Sequence, residues 1–282
     1  MQPDFLQMRQ KTRRIFRSVA GILNKKEVCM NRRIGLSTML FRSEPRVLSS
    51  AAVVAKNENE GTFGGRFDMA LEDDKFGEDS FERAECKIFC TAAKLAVEKA
   101  GLRLAHVRAM LAGDLLNQLI TANYAARELG IPYLGLYGAC STMAESLLLG
   151  SMLVDGGYCA PVLCCASSHF STAERQYRFP LEMGTTAPPT AQHTVTGAGA
   201  LLLSDTEAPS PVFSHIAVTA ATIGRVIDLG ITDMNNMGAA MAPASVILTP
   251  CPRRPKNAAI IGVFGISCCR KEVIFRKIFG VM

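Results

Sequence analysis

Cys140 is the side chain whose type and position point most directly to chemistry. It lies between a short apolar run that begins at Tyr133, which predicts a buried strand, and an apolar run over Met143–Val154, which predicts a helix ended by Gly156. A thiol at such a junction lies at the first turn of the helix, where unpaired N–H groups and the helix dipole stabilise an anion. Cys140 is therefore a candidate thiolate. The alternative is a small buried hydrophobic residue, which is the usual state of an intracellular cysteine.

Further polar side chains follow the predicted strands, and the carboxyl ends of strands are where an α/β sheet forms its binding sites. The candidates are Asp114, Asn117, Gln118, Cys140, Ser141, Ser168 and His169 at strand ends, Arg175 and Arg178 in an irregular segment, and Arg225 after the last strand. Asp114 has the alternative of capping a turn, and an arginine is usually solvated or paired at the surface. His169 alone is more typical of a structural histidine than of a base. Their convergence nevertheless predicts a ligand site.

Cys86 and Cys90 lie four residues apart on a predicted helix and could in principle ligate zinc. The sequence has no second cysteine or histidine pair at a suitable spacing. We therefore predict no metal and no cofactor.

The elements that must position these residues alternate between strands and helices. The predicted strands are Val47–Ala55, Met110–Asp114, Tyr133–Tyr137, Pro161–Ala166, Ala198–Ser204 and Ile216–Thr222, and the predicted helices are Ser80–Ala100, Thr121–Leu129 and Met143–Val154. Asp79 and Glu82 form a pattern like a capping box before the first helix. This alternation predicts a single α/β mixed sheet over residues 46–244, with helices on both faces and the Cys140 helix at its centre.

Composition sets the class of the protein. With 282 residues, 49% of them hydrophobic, the chain can bury a sizeable core. No uninterrupted apolar run is long enough to cross a bilayer. Ten cysteines without the spacing of a secreted disulfide scaffold point to free thiols in a reducing compartment.

Charge divides the chain into three parts. The net charge is +5 in residues 1–30, −5 in 31–244 and +6 in 245–282. Residues 1–30 form a basic N-terminal extension with an amphipathic pattern, which either rests on an anionic membrane surface or precedes a translation start at Met30.

A reading-frame shift near codon 245 explains the change of charge and composition in the basic tail, and a divergent tail is the alternative. We expect both ends to be peripheral and to be trimmed first by proteases.

Six motifs, in order, resemble those of the stage V sporulation protein AD family, a member of the thiolase-like superfamily. They are Ala112–Gln118, Gly138–Thr142, Ser167–His169, Thr172–Gln176, Thr194–Gly197 and Gly224–Gly230. The resemblance runs from about Arg46 to Ala244 and is absent from the tail. It implies a thiolase-like fold of two similar halves, of which this chain has the first half complete and the second half largely missing.

The resemblance also implies a function. The family takes part in moving dipicolinate, pyridine-2,6-dicarboxylate, into the developing spore, together with other stage V sporulation proteins of a membrane transport complex. It implies an intracellular protein, peripheral to the inner membrane of the developing spore, that forms a homodimer. We expect non-catalytic binding of dipicolinate, without nucleic acid, by Asp114, Asn117, Cys140, Ser141, His169, Arg175 and Arg225. In the superfamily the residue at Cys140 is an acylated nucleophile, so a thiolase-type acyltransferase is the alternative.

Overall fold

The computed structural model describes residues 32–34, 37–116, 119–173, 194–209, 213 and 216–224, and the backbone of 258–261 and 266–269. Its strands are β1 Arg33–Ile34, β2 Thr38–Leu40, β3 Arg46–Val54, β4 Met69–Ala70, β5 Ala109–Asp114, β6 Tyr133–Gly135, β7 Val162–Ser168, β8 Gly197–Ser204, β9 Val218–Thr222, β10 Ala258–Ile261 and β11 Ile266–Cys269. Its helices are α1 Lys56–Asn59, α2 Phe81–Lys99, α3 Ile120–Leu129, α4 Thr142–Asp155 and α5 Phe170–Ala173. Short 3₁₀ turns cover Leu104–His106 and Ala139–Ser141.

The central sheet has six strands in the order β4-β3-β8-β7-β5-β6. Strands β6, β5 and β7 are mutually parallel, whereas β8 is antiparallel to both β7 and β3. Strands β5, β7 and β8 are buried along their whole length, because helices cover both faces of the sheet. The predicted mixed sheet with helices on both faces is confirmed for residues 46–204.

Helix α2 covers one face of this sheet. The side chain of Ser80 caps its first turn by accepting a hydrogen bond from the amide of Arg83 at 3.3 Å, so the cap is one residue later than the predicted Asp79. Its buried side includes Ala84, Ala92, Ala93 and Ala96. Small side chains let α2 lie close to the sheet and to α3, which belongs to the same apolar core.

Helix α4 covers the other face and lies between two sheets. Leu147 and Leu148 share one core with strands β7 and β8 of the central sheet and with Val218 and Ala221 of β9. At the end of the helix, the Asp155 carboxylate accepts hydrogen bonds from the amides of Arg42 and Ser43 at 2.7 and 2.8 Å. These contacts fix the helix that Cys140 precedes.

The prediction of a single sheet over residues 46–244 is wrong for β9. This strand belongs to a second, antiparallel sheet of five strands in the order β1-β2-β9-β11-β10. The reason lies in α4, whose partly exposed side also carries Leu149 and Leu153. A helix that is apolar on nearly all sides needs cover on more than one side, and β9 supplies it.

The predicted tail contributes to this second sheet. The backbone of β11 pairs with β9, and β10 pairs with β11, although we expected residues 245–282 to be peripheral. The basic extension 1–30 lies outside the described residues. Among the helices that are described, none is long and apolar enough to cross a membrane.

Candidate functional site

Cys140 lies on the surface, in the 3₁₀ turn that leads directly into α4. The side chain of Ser141 holds this turn by donating to the carbonyl of Gly138 at 2.7 Å, and the Ser141 amide bonds to the same carbonyl at 2.9 Å. Ala139 has a φ of 46°, which is in the left-handed region. The thiol is exposed at the amino end of a 14-residue helix. The alternative of a buried hydrophobic cysteine is therefore wrong.

Two glycines allow the backbone to reach this position. A Cβ on Gly113 would lie 2.2 Å from the carbonyl oxygen of Leu136, and a Cβ on Gly138 would lie 2.4 Å from Oε2 of Glu145. Leu136 continues β6 and donates its amide to Ala112 of β5 at 2.9 Å. The segment between β6 and Cys140 thus lies directly on β5, in space that only a glycine leaves open.

Asp114 ends β5 and is buried. One carboxylate oxygen accepts from the amide of Leu116 at 2.9 Å, and the other accepts from the amide of Ala122, in the first turn of α3, at 2.7 Å. Burial raises the pKa of Asp114, and these two backbone hydrogen bonds oppose the rise. Leu119, which precedes α3, has left-handed backbone angles and no side-chain cap, so Asp114 supplies the cap from a distance.

His169 is fully buried and both of its ring nitrogens have partners. Nδ1 accepts from the amide of Ser171 at 3.2 Å, so Nε2 is the nitrogen that donates to the carbonyl of Asp74 at 2.8 Å. Its ring packs against Phe81 at 5.0 Å. A base for Cys140 needs a free ring nitrogen, and this arrangement does not provide one. The neighbouring Ser168 hydroxyl donates to the carbonyl of Val195.

Glu85 is a buried carboxyl group that the sequence interpretation missed. It lies on α2 and accepts hydrogen bonds from the hydroxyls of Ser167, at 2.8 Å, and Thr172, at 3.3 Å. Burial raises its pKa to about 8 and the nearby Asp114 adds to the rise, whereas the two hydroxyls oppose it. The carboxyl group is therefore mostly protonated at neutral pH. The signal in the sequence was a glutamate on the apolar side of α2, one turn before Ile88 and Phe89.

The topology brings three of the predicted segments together at the carboxyl ends of the parallel strands of the central sheet. Because β6, β5 and β7 run parallel, the segments that follow them, with Cys140, Asp114 and His169, leave the sheet on the same side. Cys140 and Ser141 share one exposed turn, whereas Asp114 and His169 are buried and stabilise the surrounding structure. Asn117, Gln118, Arg175, Arg178 and Arg225 lie outside the described residues. Their ligand roles stay predictions.

Comparison with solved structures gives only distant likenesses. The 3-oxoacyl-[acyl-carrier-protein] synthase III from Aquifex aeolicus VF5 is 16% identical with a TM-score of 0.39, over 58% of this chain and 54% of that chain. A fungal type III polyketide synthase, ORAS, is 14% identical with a TM-score of 0.48, over 82% of this chain and 68% of that chain. At these scores, neither likeness assigns a function.

Comparison with protein families and curated sequences is more specific. The family model of stage V sporulation protein AD matches residues 35–249. Stage V sporulation protein AD of Bacillus subtilis (strain 168) is 43% identical over 211 residues, which are 75% of this chain and 61% of that protein. The chain thus spans less than two thirds of the length of this relative. The family that the six sequence motifs indicated is confirmed: this chain belongs to the stage V sporulation protein AD family.

Proposed function

We propose that this chain binds dipicolinate without converting it and takes part in its uptake into the developing spore. Membership of a sporulation protein family supports the biological setting. The observation that carries the chemistry is the exposed turn Ala139–Ser141 at the amino end of α4. A helix amino end is a site where backbone N–H groups and the dipole favour a carboxylate.

The donors of this turn can be identified from its hydrogen bonds. The amides of Ser141 and Thr142 are bonded to the carbonyls of Gly138 and Ala139. The amides of Ala139 and Cys140 come before them and are the donors that we assign to one carboxylate of the ligand. The Ser141 hydroxyl donates within the turn, so it supports the backbone and does not supply a donor.

The second carboxylate needs a cation, and Arg225 is our candidate, with Arg175 as a further one. An arginine pairs with a carboxylate through two parallel N–H donors. Buried Asp114 and His169 take part by holding the segments at the ends of β5 and β7, and Asn117 is a further candidate contact.

Arg225→Ala is expected to weaken dipicolinate binding about tenfold or more, because a hydrogen bond to a charged group contributes about 1.5–3 kcal/mol. The measurement is isothermal titration of dipicolinate into the full 282-residue chain. Arg83→Ala is the matched control, since that side chain is 71% exposed and lies on α2. Absence of binding heat with folded protein would contradict the proposed function, and equal affinities of both variants would exclude Arg225 from the site.

A thiolase-type acyltransferase is the second candidate, favoured by the exposed thiol of Cys140. Acyl transfer requires a base to activate the thiol and donors for the tetrahedral oxyanion. The occupied ring nitrogens of His169 do not meet the first requirement. Incubation with acyl-coenzyme A followed by mass spectrometry distinguishes the two: a thioester on Cys140 that turns over would replace the binding function.

We further propose that the chain associates with other stage V sporulation proteins at the inner membrane of the developing spore and forms a homodimer. Within the described part of the chain, β6 is an edge strand of the central sheet, and Leu134 on it is 53% exposed. Ile120 and Tyr124 of the adjoining α3 are also exposed. The same strand of a second copy can pair with this edge about a two-fold axis and cover these side chains.

Leu134→Lys is expected to shift the protein from dimer to monomer, because it places a charge at the centre of the paired edges. Light scattering coupled to gel filtration measures the mass. Met152→Lys, a similarly exposed apolar position on α4, is the control that should leave the dimer intact. A wild-type protein that is monomeric at all concentrations would contradict this edge as an interface.

A further inference from the structure

Two cysteines of α2 and a glutamate of α3 converge where these two helices pack together. Cys86 and Cys90 lie one turn apart on α2, and Glu128 reaches them from α3. The two Sγ atoms and a carboxylate oxygen of Glu128 all lie within 4.8 Å of one another. Both cysteines are free thiols. The sequence spacing could not show this group, because its third member is 38 residues beyond Cys90.

Close packing of α2 and α3 holds the group together. Ala93 of α2 and Ala122 and Ala125 of α3 are buried in the same core, and such small side chains let the helices approach. Lys94 on α2 also binds Glu128, with Nζ 2.9 Å from Oε1. The carboxylate is therefore drawn toward α2, where the two thiols lie.

Packing alone does not account for this arrangement. Cys90 is buried and would serve as a small hydrophobic residue. Cys86 is partly buried and packs against the same core as Cys90, but Glu128 is 52% exposed, so burial does not require its carboxylate to lie beside the two thiols. Two thiols at i and i+4 beside a carboxylate match the ligand types of zinc.

We infer that Cys86, Cys90 and Glu128 form a binding site for a thiophilic divalent cation such as Zn²⁺, with a fourth position open to water. Zinc binds sulfur at about 2.3 Å and carboxylate oxygen at about 2.0–2.2 Å, so tetrahedral ligand atoms are about 3.5–3.8 Å apart. Side-chain rotations have to bring the three ligand atoms, which now lie within 4.8 Å of one another, to these separations when the ion binds.

The charges and the exposure of the group suit such an ion. Two thiolates and a carboxylate carry three negative charges, of which the ion offsets two and the ammonium of Lys94 offsets the third. The Lys94 and Glu128 side chains are 44% and 52% exposed, so an ion and its water ligand can enter from solvent. Bound metal would cross-link α2 and α3, which form one layer of the fold.

The first test is a titration of the reduced full chain with Cd²⁺, a spectroscopic substitute for Zn²⁺, followed by competition with Zn²⁺. Thiolate-to-Cd²⁺ charge-transfer absorption should saturate at one ion per chain. Cys86→Ser, Cys90→Ser and Glu128→Gln should each weaken binding by at least about tenfold, since even outer-shell changes at metal sites cost tenfold to a hundredfold. Glu128→Gln keeps both thiols, so it isolates the carboxylate.

The controls address the other cysteines, of which the chain has ten in total. Cys159→Ser changes a partly buried thiol, as Cys86 is, and Cys140→Ser changes an exposed one; both lie outside the group and should leave the metal affinity unchanged. Zn²⁺ should also raise the melting temperature of the wild type but not of the Cys86→Ser variant, whose circular dichroism reports whether it is folded. Undiminished absorption in a Cys86→Ser, Cys90→Ser double variant, or an unchanged affinity in Glu128→Gln, would overturn the assignment.

Discussion

Gly113→Ala is expected to destabilise the protein by about 3 kcal/mol or more, because overpacking a rigid core usually costs about 1–3 kcal/mol and here the obstacle is backbone. The new methyl group would lie 2.2 Å from the carbonyl oxygen of Leu136 and 3.0 Å from Cγ2 of Thr142. The carbonyl of Leu136 cannot move away, since it is backbone and its residue is bonded to β5. Urea unfolding followed by circular dichroism measures the loss.

Gly130→Ala is the matched control for this substitution. Gly130 ends α3 with a φ of 65°, and a Cβ there would have no heavy atom within 4 Å. Its expected cost is only the left-handed strain of about 1–2 kcal/mol. If Gly113→Ala costs no more than Gly130→Ala, the close approach of Leu136 to β5 is not a constraint. A folded Gly113→Ala protein should also bind dipicolinate more weakly, because the turn that holds Cys140 follows Leu136.

Glu85→Gln is expected to remove a large part of the pH dependence of stability. Burial raises the pKa of Glu85 from an ordinary 4.5 to about 8. Between these values the folded state binds one more proton than the unfolded state, so the free energy of unfolding falls as the pH rises. This contribution is fully present below about pH 4.5 and is lost by about pH 8. At about 1.4 kcal/mol per pH unit, the loss amounts to several kcal/mol.

The measurement is urea unfolding at a series of pH values from about 5 to 9. The Glu85→Gln variant keeps a side chain that can bond to Ser167 and Thr172, so its stability should vary less over this range and exceed the wild type at high pH. Glu98→Gln changes an exposed carboxylate on the same helix and is the control. Identical pH profiles of wild type and Glu85→Gln would show that the pKa of this carboxyl group is the same in the folded and unfolded states, which contradicts the raised value. Asp114 is the neighbouring acid whose pKa burial also raises, so it contributes a slope of the same sign.

The sequence was sufficient to predict those helices and strands whose buried residues follow a regular local pattern. The predicted strand Met110–Asp114 is observed as Ala109–Asp114, and the predicted helix Ser80–Ala100 as Phe81–Lys99. Both are regular elements with apolar runs and clear terminal residues, so local information determines them. The position of Cys140 before α4 was predicted for the same reason.

Contacts between residues far apart in the chain could not be predicted from local sequence patterns. The hydrogen bond between Glu85 and Ser167 joins residues 82 positions apart, and Glu128 meets Cys86 only because two helices pack together. The sequence of the short strand β9 does not by itself indicate which of the two sheets the strand joins. Its place depends on the apolar side of α4 that the central sheet leaves uncovered.

The order in which the two sheets are encoded bears on how the chain emerges from a ribosome. The central sheet is complete once Ser204 has been made, whereas β9 begins at Val218 and its partner β11 begins at Ile266. During synthesis, α4 can therefore pack on the central sheet while the apolar side that β9 later covers is still exposed to solvent. Transiently exposed surfaces of this kind are what chaperones bind and where nascent chains aggregate. The interval between the synthesis of Ser204 and that of β11 is thus a stage at which this apolar surface is open to aggregation and to chaperones.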